Sequence, residues 1–119
     1  MGHNQELGQR GEVLAAQYLM GRGIHVLARN WRCPIGEIDI VADDAGTLVA
    51  VEVKTRSGLG FGHPAEAVDA VKLRRLHRLA SAWCRAAGQP RRRRRVDVIA
   101  IIAVPGQHHR VAYFKEVTP

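Results

Sequence analysis

From Thr47 to Arg56 the chain alternates Val49, Val51 and Val53 with Leu48, Ala50, Glu52 and Lys54, the pattern of a β-strand. Glu52 and Lys54 are two residues apart and therefore leave such a strand on one face. Glu37 and Asp39 share a face of the preceding strand in the same way. If Asp43 to Gly46 forms the hairpin loop, Glu37 lies opposite Glu52 and Asp39 opposite Ala50. Asp39 and Glu52 are then diagonal neighbours, roughly 5–8 Å apart at Cβ. Two carboxylates this close repel unless a cation, a proton or a lysine lies between them. A hard ion such as Mg²⁺ takes such oxygen ligands and keeps waters for chemistry, and Lys54 could orient or deprotonate one of those waters. An isolated acid-x-lysine is more often the polar face of a half-exposed hairpin, and periodicity alone leaves both readings open.

The elements that position these groups follow from the same periodicities. Leu7, Leu14, Ala15, Tyr18 and Leu19 fall at helical spacing between Gln5 and about Arg22, where Gly21 and Gly23 end the run. Gly8, Glu12, Ala15 and Leu19 form one ridge of that helix, with small neighbours that let another element approach. Glu12 is on this basis either a helix-rim residue or a third carboxylate for the site. Ile24 to Asn30 reads as a short strand, followed by a strand with Ile38, Ile40 and Ala42 on one face. Ser57 to Pro64 holds three glycines and a proline and reads as a mobile loop, with no strand–GxGxxG–helix order. Pro64 opens a helix whose stripe is Val68, Val71, Leu76, Leu79, Ala80, Trp83 and Ala87, stopped by Gly88 and Pro90. Val96 to Val104 and Arg110 to Val117 are two further strands. The order is α-β-β-β-α-β-β. A strand, a long helix and a strand make a crossover, so the third and fourth strands are expected to be parallel neighbours in a mixed α/β sheet flanked by helices.

Length and charge bound the function. At 119 residues and 46% hydrophobic content the chain has the size and composition of one folded domain, expected over residues 1–119. No run is long and apolar enough for a membrane span, and the N-terminus lacks the apolar core of a secretory signal. Cys33 and Cys84 form no framework and no metal-ligand spacing, and a cytoplasmic location is expected. The net charge of +7 is uneven: residues 1–60 hold six bases and seven acids, residues 61–119 twelve bases and four acids. A basic half suits a polyanion such as nucleic acid. Arg91, Arg92, Arg93, Arg94 and Arg95, with Lys72, Arg74, Arg75 and Arg78 nearby in sequence, are read as phosphate contacts, the alternative being a solvated connection. Arg56 is a further phosphate contact. Trp31 is expected at the rim of the core and Trp83 within it. His63, His77, His108 and His109 share no zinc spacing.

The stretches GQRGEVLAAQYLMGRGIHVLARNWRC, GEIDIVA and LVAVEVKTR, followed by RVDVIAI, resemble the bacterial YraN-like family from about Leu7 to Val117. That family has a Holliday-junction-resolvase-like fold within the PD-(D/E)XK nuclease superfamily. The resemblance implies that Asp39 is the motif aspartate, Glu52 and Lys54 are the acid-x-lysine, and Glu12 is the helix glutamate that completes the metal site. Branched DNA and a homodimer are likewise implied by the resemblance alone.

The resulting expectation is an endonuclease that cleaves DNA with Mg²⁺ or Mn²⁺. Glu12, Asp39 and Glu52 hold the ion with the Val53 carbonyl as an extra ligand, and Lys54 positions water. The rivals are a nucleic-acid-binding module that keeps the fold but cuts nothing, and an adaptor whose basic surface meets an acidic protein.

Overall fold

A computed structural model of the chain describes residues 3–57, 68–103, 106 and 108–119. The elements are α1 (His3–Gly21), β1 (His25–Cys33), β2 (Gly36–Asp44), β3 (Thr47–Ser57), α2 (Ala70–Ala86), β4 (Arg94–Ala103) and β5 (Arg110–Phe114). The five strands form one sheet in the order β1-β2-β3-β4-β5. Pairing is antiparallel except between β3 and β4, which the α2 crossover makes parallel, as expected.

The two helices cover opposite faces. Ala15, Ala16 and Leu19 of α1 pack on Ile40, Ala42, Val49, Val51, Ile99 and Ile101. Leu73, Leu76, Leu79, Ala80 and Cys84 of α2 pack on Val41, Leu48, Ala50, Val96 and Val98. Both faces of the central strands are therefore buried, which is why Val96 to Ile101 reads as a nearly unbroken apolar run. The α2 stripe differs from expectation. Leu73 is buried whereas Val71 is 59% exposed, and Trp83 sits at the edge of the core with Arg92 over its ring. Pro64 and the glycine-rich segment 58–64 lie outside the described residues. The described helix begins behind Asp69, whose carboxylate accepts the Lys72 N–H at 2.8 Å as an N-cap.

The hairpin register is corrected by two residues. Asp44 pairs with Thr47, so the turn is only Ala45-Gly46, with φ of 50° and 96°. Positive φ at both central residues matches the right-handed twist of the flanking strands, which a two-residue turn then joins directly. A shift of two keeps every side chain on its face but slides Asp39 along β3. The ladder runs from Asp44↔Thr47 to Ile40↔Val51, and its next step sets Asp39 opposite Glu52 rather than opposite Ala50. Ile38 is a second departure. It packs with the α2-side cluster, whereas Ile40 and Ala42 face α1. The alternation breaks at Asp39, level with Asn30 of β1, which has a left-handed φ of 54°.

Beyond Val51 no further β2–β3 pair follows, and the Val53 N–H is taken at 2.9 Å by the Asp39 carboxylate instead. The two strands thus part, with a carboxylate in the gap between them. Helix α1 reaches the same region through Gly11, where a Cβ would lie 2.0 Å from Thr55 Oγ1. Only glycine permits that approach. Gly8, by contrast, has open space around it.

Candidate active site

A cleft of about 200 Å³ opens where β2 and β3 part, lined by Gly36, Glu37, Asp39, Glu52, Lys72, Arg75, Leu76 and Leu79. Glu52 is 5% exposed, one of two buried charged residues among those described. Its carboxylate is hydrogen-bonded to Asp39, and its Oε2 is paired closely with Lys72 Nζ and at 3.7 Å with Lys54 Nζ. Three of the residues expected to act together, Asp39, Glu52 and Lys54, therefore meet. Lys72, read from the sequence as a phosphate contact, enters the same cleft from the first turn of α2 and lies directly on Glu52.

Glu12 stands farther off. Its Oε2 is 3.8 Å from Arg29 Nη2, and with its amide turned to donate, Asn30 Nδ2 lies 3.2 Å from Glu12 Oε2 and 3.1 Å from Glu37 Oε1. Glu12 still acts on Asp39 through its charge. Among the described residues no three carboxylate, imidazole or thiolate groups form a ready-made cage. The donor set nevertheless suits a hard divalent ion. A buried carboxylate, Glu52, and a half-buried one, Asp39, converge, and Glu52 Oε2 takes no hydrogen bond of regular geometry, only cations at its side.

The electrostatics agree with that chemistry. Burial, then the hydrogen bond and charge of Glu52, push the Asp39 carboxyl from its ordinary 3.8 up to about 8, against the Val53 N–H. The pair therefore shares one proton near neutral pH. Burial would also raise Glu52, but the hydrogen bond with Asp39, then Lys72 and Lys54, hold it below the usual carboxylate range. Burial and the neighbouring Lys72 draw Lys54 down from the ordinary lysine range, while Glu52 opposes them.

A stability prediction follows from the sign of the Asp39 shift. Between about pH 5 and 8 the folded state keeps a proton on Asp39 that the unfolded chain has lost, so stability falls as pH rises through that window. The Glu52 shift acts only below it. In chelator at pH 8.5, Asp39→Asn is expected to melt above wild type, and the gap should close towards pH 5. Mn²⁺ replaces the proton, so it should raise the wild-type melting temperature more at pH 8.5 than at pH 6 and leave the variant unmoved. Thermal melts of both proteins, with and without Mn²⁺, check each part.

The arginine run lies elsewhere. Leu48 of β3 pairs with Arg94 of β4, so the run sits at the turn end of the hairpin, roughly 13 Å along β3 from Glu52. Two of its members are committed internally, which corrects their reading as free phosphate contacts. Arg92 is 18% exposed at its side chain, pairs with Asp43 and donates to the Gly46 carbonyl at 3.1 Å. Arg95, 11% exposed, bridges Asp44 at 2.7 Å and Asp97 at 3.0 Å. Asp43 and Asp44 are the last two residues of β2, so the guanidinium groups tie β4 and the segment before it to the hairpin. Arg91 and Arg93 are exposed, and Arg94 is half-buried with its guanidinium on the Pro90 carbonyl at 3.0 Å. Arg56 follows Lys54 on the same face of β3 and is half-buried. The Val53 side chain packs towards α1, and its N–H donates to Asp39 at the site.

Trp31 packs at the core rim as expected, and Cys84 is fully buried. His77 Nε2 lies 3.0 Å from the Val117 carbonyl oxygen, His108 and His109 are exposed, and His63 lies outside the described residues. Two positioning residues escaped the sequence reading. Asn30 joins Glu12 to Glu37, and Gly11 seats α1 against Thr55. An asparagine inside a strand pattern, where left-handed backbone is tolerated, was the available signal for the first.

Fold and site together define an α/β protein with a mixed five-stranded sheet that holds a buried glutamate and a half-buried aspartate against two lysines. The chain belongs to the uncharacterised protein family UPF0102, whose model matches residues 11–101, in keeping with the YraN-like resemblance. A UPF0102 protein of Paenarthrobacter aurescens (strain TC1) is 59% identical over 96 residues, 81% of this chain and 79% of that one. A UPF0102 protein of Nocardia farcinica (strain IFM 10152) is 46% identical over 117 residues, 98% of this chain and 92% of its own. Among solved structures, the Holliday junction resolvase Hjc of Archaeoglobus fulgidus is similar at 22% identity and a TM-score of 0.46, over 91% of this chain and 86% of that one. Among the described residues no helix is long and apolar enough to cross a membrane.

Proposed function

We propose that this chain is a single-domain, metal-dependent endonuclease that hydrolyses phosphodiester bonds in DNA, with branched DNA as its substrate and Mg²⁺ or Mn²⁺ as its ion. The observation that carries the reading is the Asp39–Glu52 pair, with Glu52 buried and Asp39 half-buried, held where β2 and β3 part with Lys54 and Lys72 beside it. Two carboxylates brought together in a cleft, with the pKa of one raised by burial and by the other, mark a candidate site. Asp39 and Glu52 would hold the ion, with Glu12 adding negative charge from α1. When bound, the ion polarises the phosphate and lowers the pKa of a coordinated water. Lys54, half-buried on the face of Glu52, orients the attacking water and balances the negative charge that grows on the phosphate. Arg56, Lys72 and Arg75 flank the cleft and hold the backbone. Arg91, Arg93 and Arg94 extend the positive surface along the sheet without reading sequence. The protein works in the cytoplasm, as a homodimer that sets two sites on one branched substrate.

Incubation with four-way, forked and linear DNA, in Mg²⁺, in Mn²⁺ and in EDTA, tests the reading. Cleavage that requires the ion and favours the branched substrates is expected. Binding of these DNAs with no cleavage under any metal would replace the enzyme by a binding module that keeps the fold.

A further inference from the structure

Lys72 is placed unlike the other basic residues of α2. Its backbone is fixed at the third helical position, where the N–H donates to Asp69. Its side chain reaches across the cleft onto Glu52 Oε2, the oxygen that Lys54 also approaches at 3.7 Å. That oxygen is buried, and the groups that neutralise it are these two ammonium ions. An ammonium group lying against a carboxylate oxygen takes the space that a metal ion on that oxygen would need. Resting on the nuclease reading above, we infer that Lys72 is a tethered cation that holds the metal position on Glu52 and gives it up when ion and DNA phosphate enter together.

Three features support this. The first is position: Lys72 lines the same cleft as Asp39 and Glu52, so ion and ammonium compete for one place. The second is charge. Two ammonium groups beside Glu52 repel an incoming divalent ion, and moving one away removes a large part of that repulsion. The third is freedom to move. The Lys72 side chain is 38% exposed and sits on a flexible four-carbon stem, while the Asp69 cap holds the helix start in place. Drawn off Glu52, the ammonium turns to the open side of the cleft near Arg75, where a phosphate oxygen can take it. Metal and DNA then favour one another's binding, and the coupling is reciprocal. The free protein holds its ion weakly and loads it on the substrate.

Melting temperature against Mn²⁺ concentration, without DNA, tests the inference on the intact chain. Lys72→Gln keeps the N-cap and the helix but removes the cation, and should bring the half-maximal rise to a Mn²⁺ concentration at least roughly tenfold lower than wild type. Lys72→Arg keeps the charge and should stay near wild type. An uncleavable four-way junction should lower the wild-type midpoint by a similar factor and the Lys72→Gln midpoint much less. Equal midpoints for wild type and Lys72→Gln, with the rise present in both, would overturn the role of Lys72 and leave the carboxylate metal site standing. No rise in any of the three proteins would remove the metal site as well.

Discussion

Replacing Lys54 by alanine is expected to slow single-turnover DNA cleavage by roughly a hundred- to a thousandfold while leaving DNA affinity nearly unchanged. The asymmetry follows from where the side chain lies. Lys54 Nζ is 3.7 Å from Glu52 Oε2, on a β3 face shared with Glu52, and burial and Lys72 hold its pKa below the ordinary lysine range. A group so fixed adds little to ground-state affinity in a cleft that Lys72 and Arg75 also line. It does much for one on which negative charge is building, because its position costs no reorganisation at that moment. Lys54→Arg keeps the charge but spreads it over a planar fork, and should recover only part of the rate. Equilibrium binding and single-turnover cleavage on one preparation separate the two effects. A variant that cuts as fast as wild type, or that loses affinity and rate in equal measure, would remove Lys54 from the chemistry.

The largest effect on stability is expected at the other buried acid, Asp97, which is 0% exposed. Its two oxygens accept from Arg95 Nε at 3.0 and 3.3 Å, from Arg95 Nη2 at 3.1 Å, from the Tyr113 hydroxyl and from the Glu116 N–H at 3.0 Å. Burial and this carboxylate keep the Tyr113 phenol well above its ordinary pKa, so the hydroxyl remains a donor. Asp97→Ala leaves Arg95 charged and largely buried with Asp44 alone, and strands two further donors. Breaking a buried pair in this way costs about 3–5 kcal/mol, a large part of the stability of a domain this size. The expected loss in melting temperature is roughly 10–20 °C. Tyr113→Phe removes one donor and should cost about 1–3 kcal/mol. Denaturant melts of the two variants check the ranking. A fall of only a degree or two for Asp97→Ala would mean that Arg95 finds other partners and that the network is not what ties β4 and β5 to the hairpin. Because Asp97 lies outside the cleft, the metal-induced rise should persist in any folded fraction, which distinguishes this variant from Asp39→Asn.

The order of elements and the parallel β3–β4 pairing were legible in the chain. Period-two runs such as Leu48 to Lys54 and three- and four-residue steps such as Leu76, Leu79 and Ala80 are local signals, and a strand–helix–strand crossover admits one common handedness. That Glu52 and Lys54 share a face is equally local. The pairing of Asp39 with Glu52 was legible only to within two residues, because the turn type depends on whether Ala45 adopts positive φ, and alanine does not announce that. The rest was decided in three dimensions. Glycine spacing on α1 pointed to Gly8, but the close approach occurs at Gly11, since the crossing point is set by packing on Thr55. Helical steps admitted Val71 to the stripe, and the orientation of α2 on the sheet buries Leu73 instead. Five consecutive arginines look equivalent along the chain. Only Arg94 and Arg95 lie in β4, the other three precede it in the connection from α2, and the hairpin acids select Arg92 and Arg95 for internal pairs while Arg91 and Arg93 stay exposed. Likewise only the tertiary structure puts Lys72 on Glu52: ion pairs follow distance in space, and these two residues meet because the α2 crossover returns its first turn to the middle of β3.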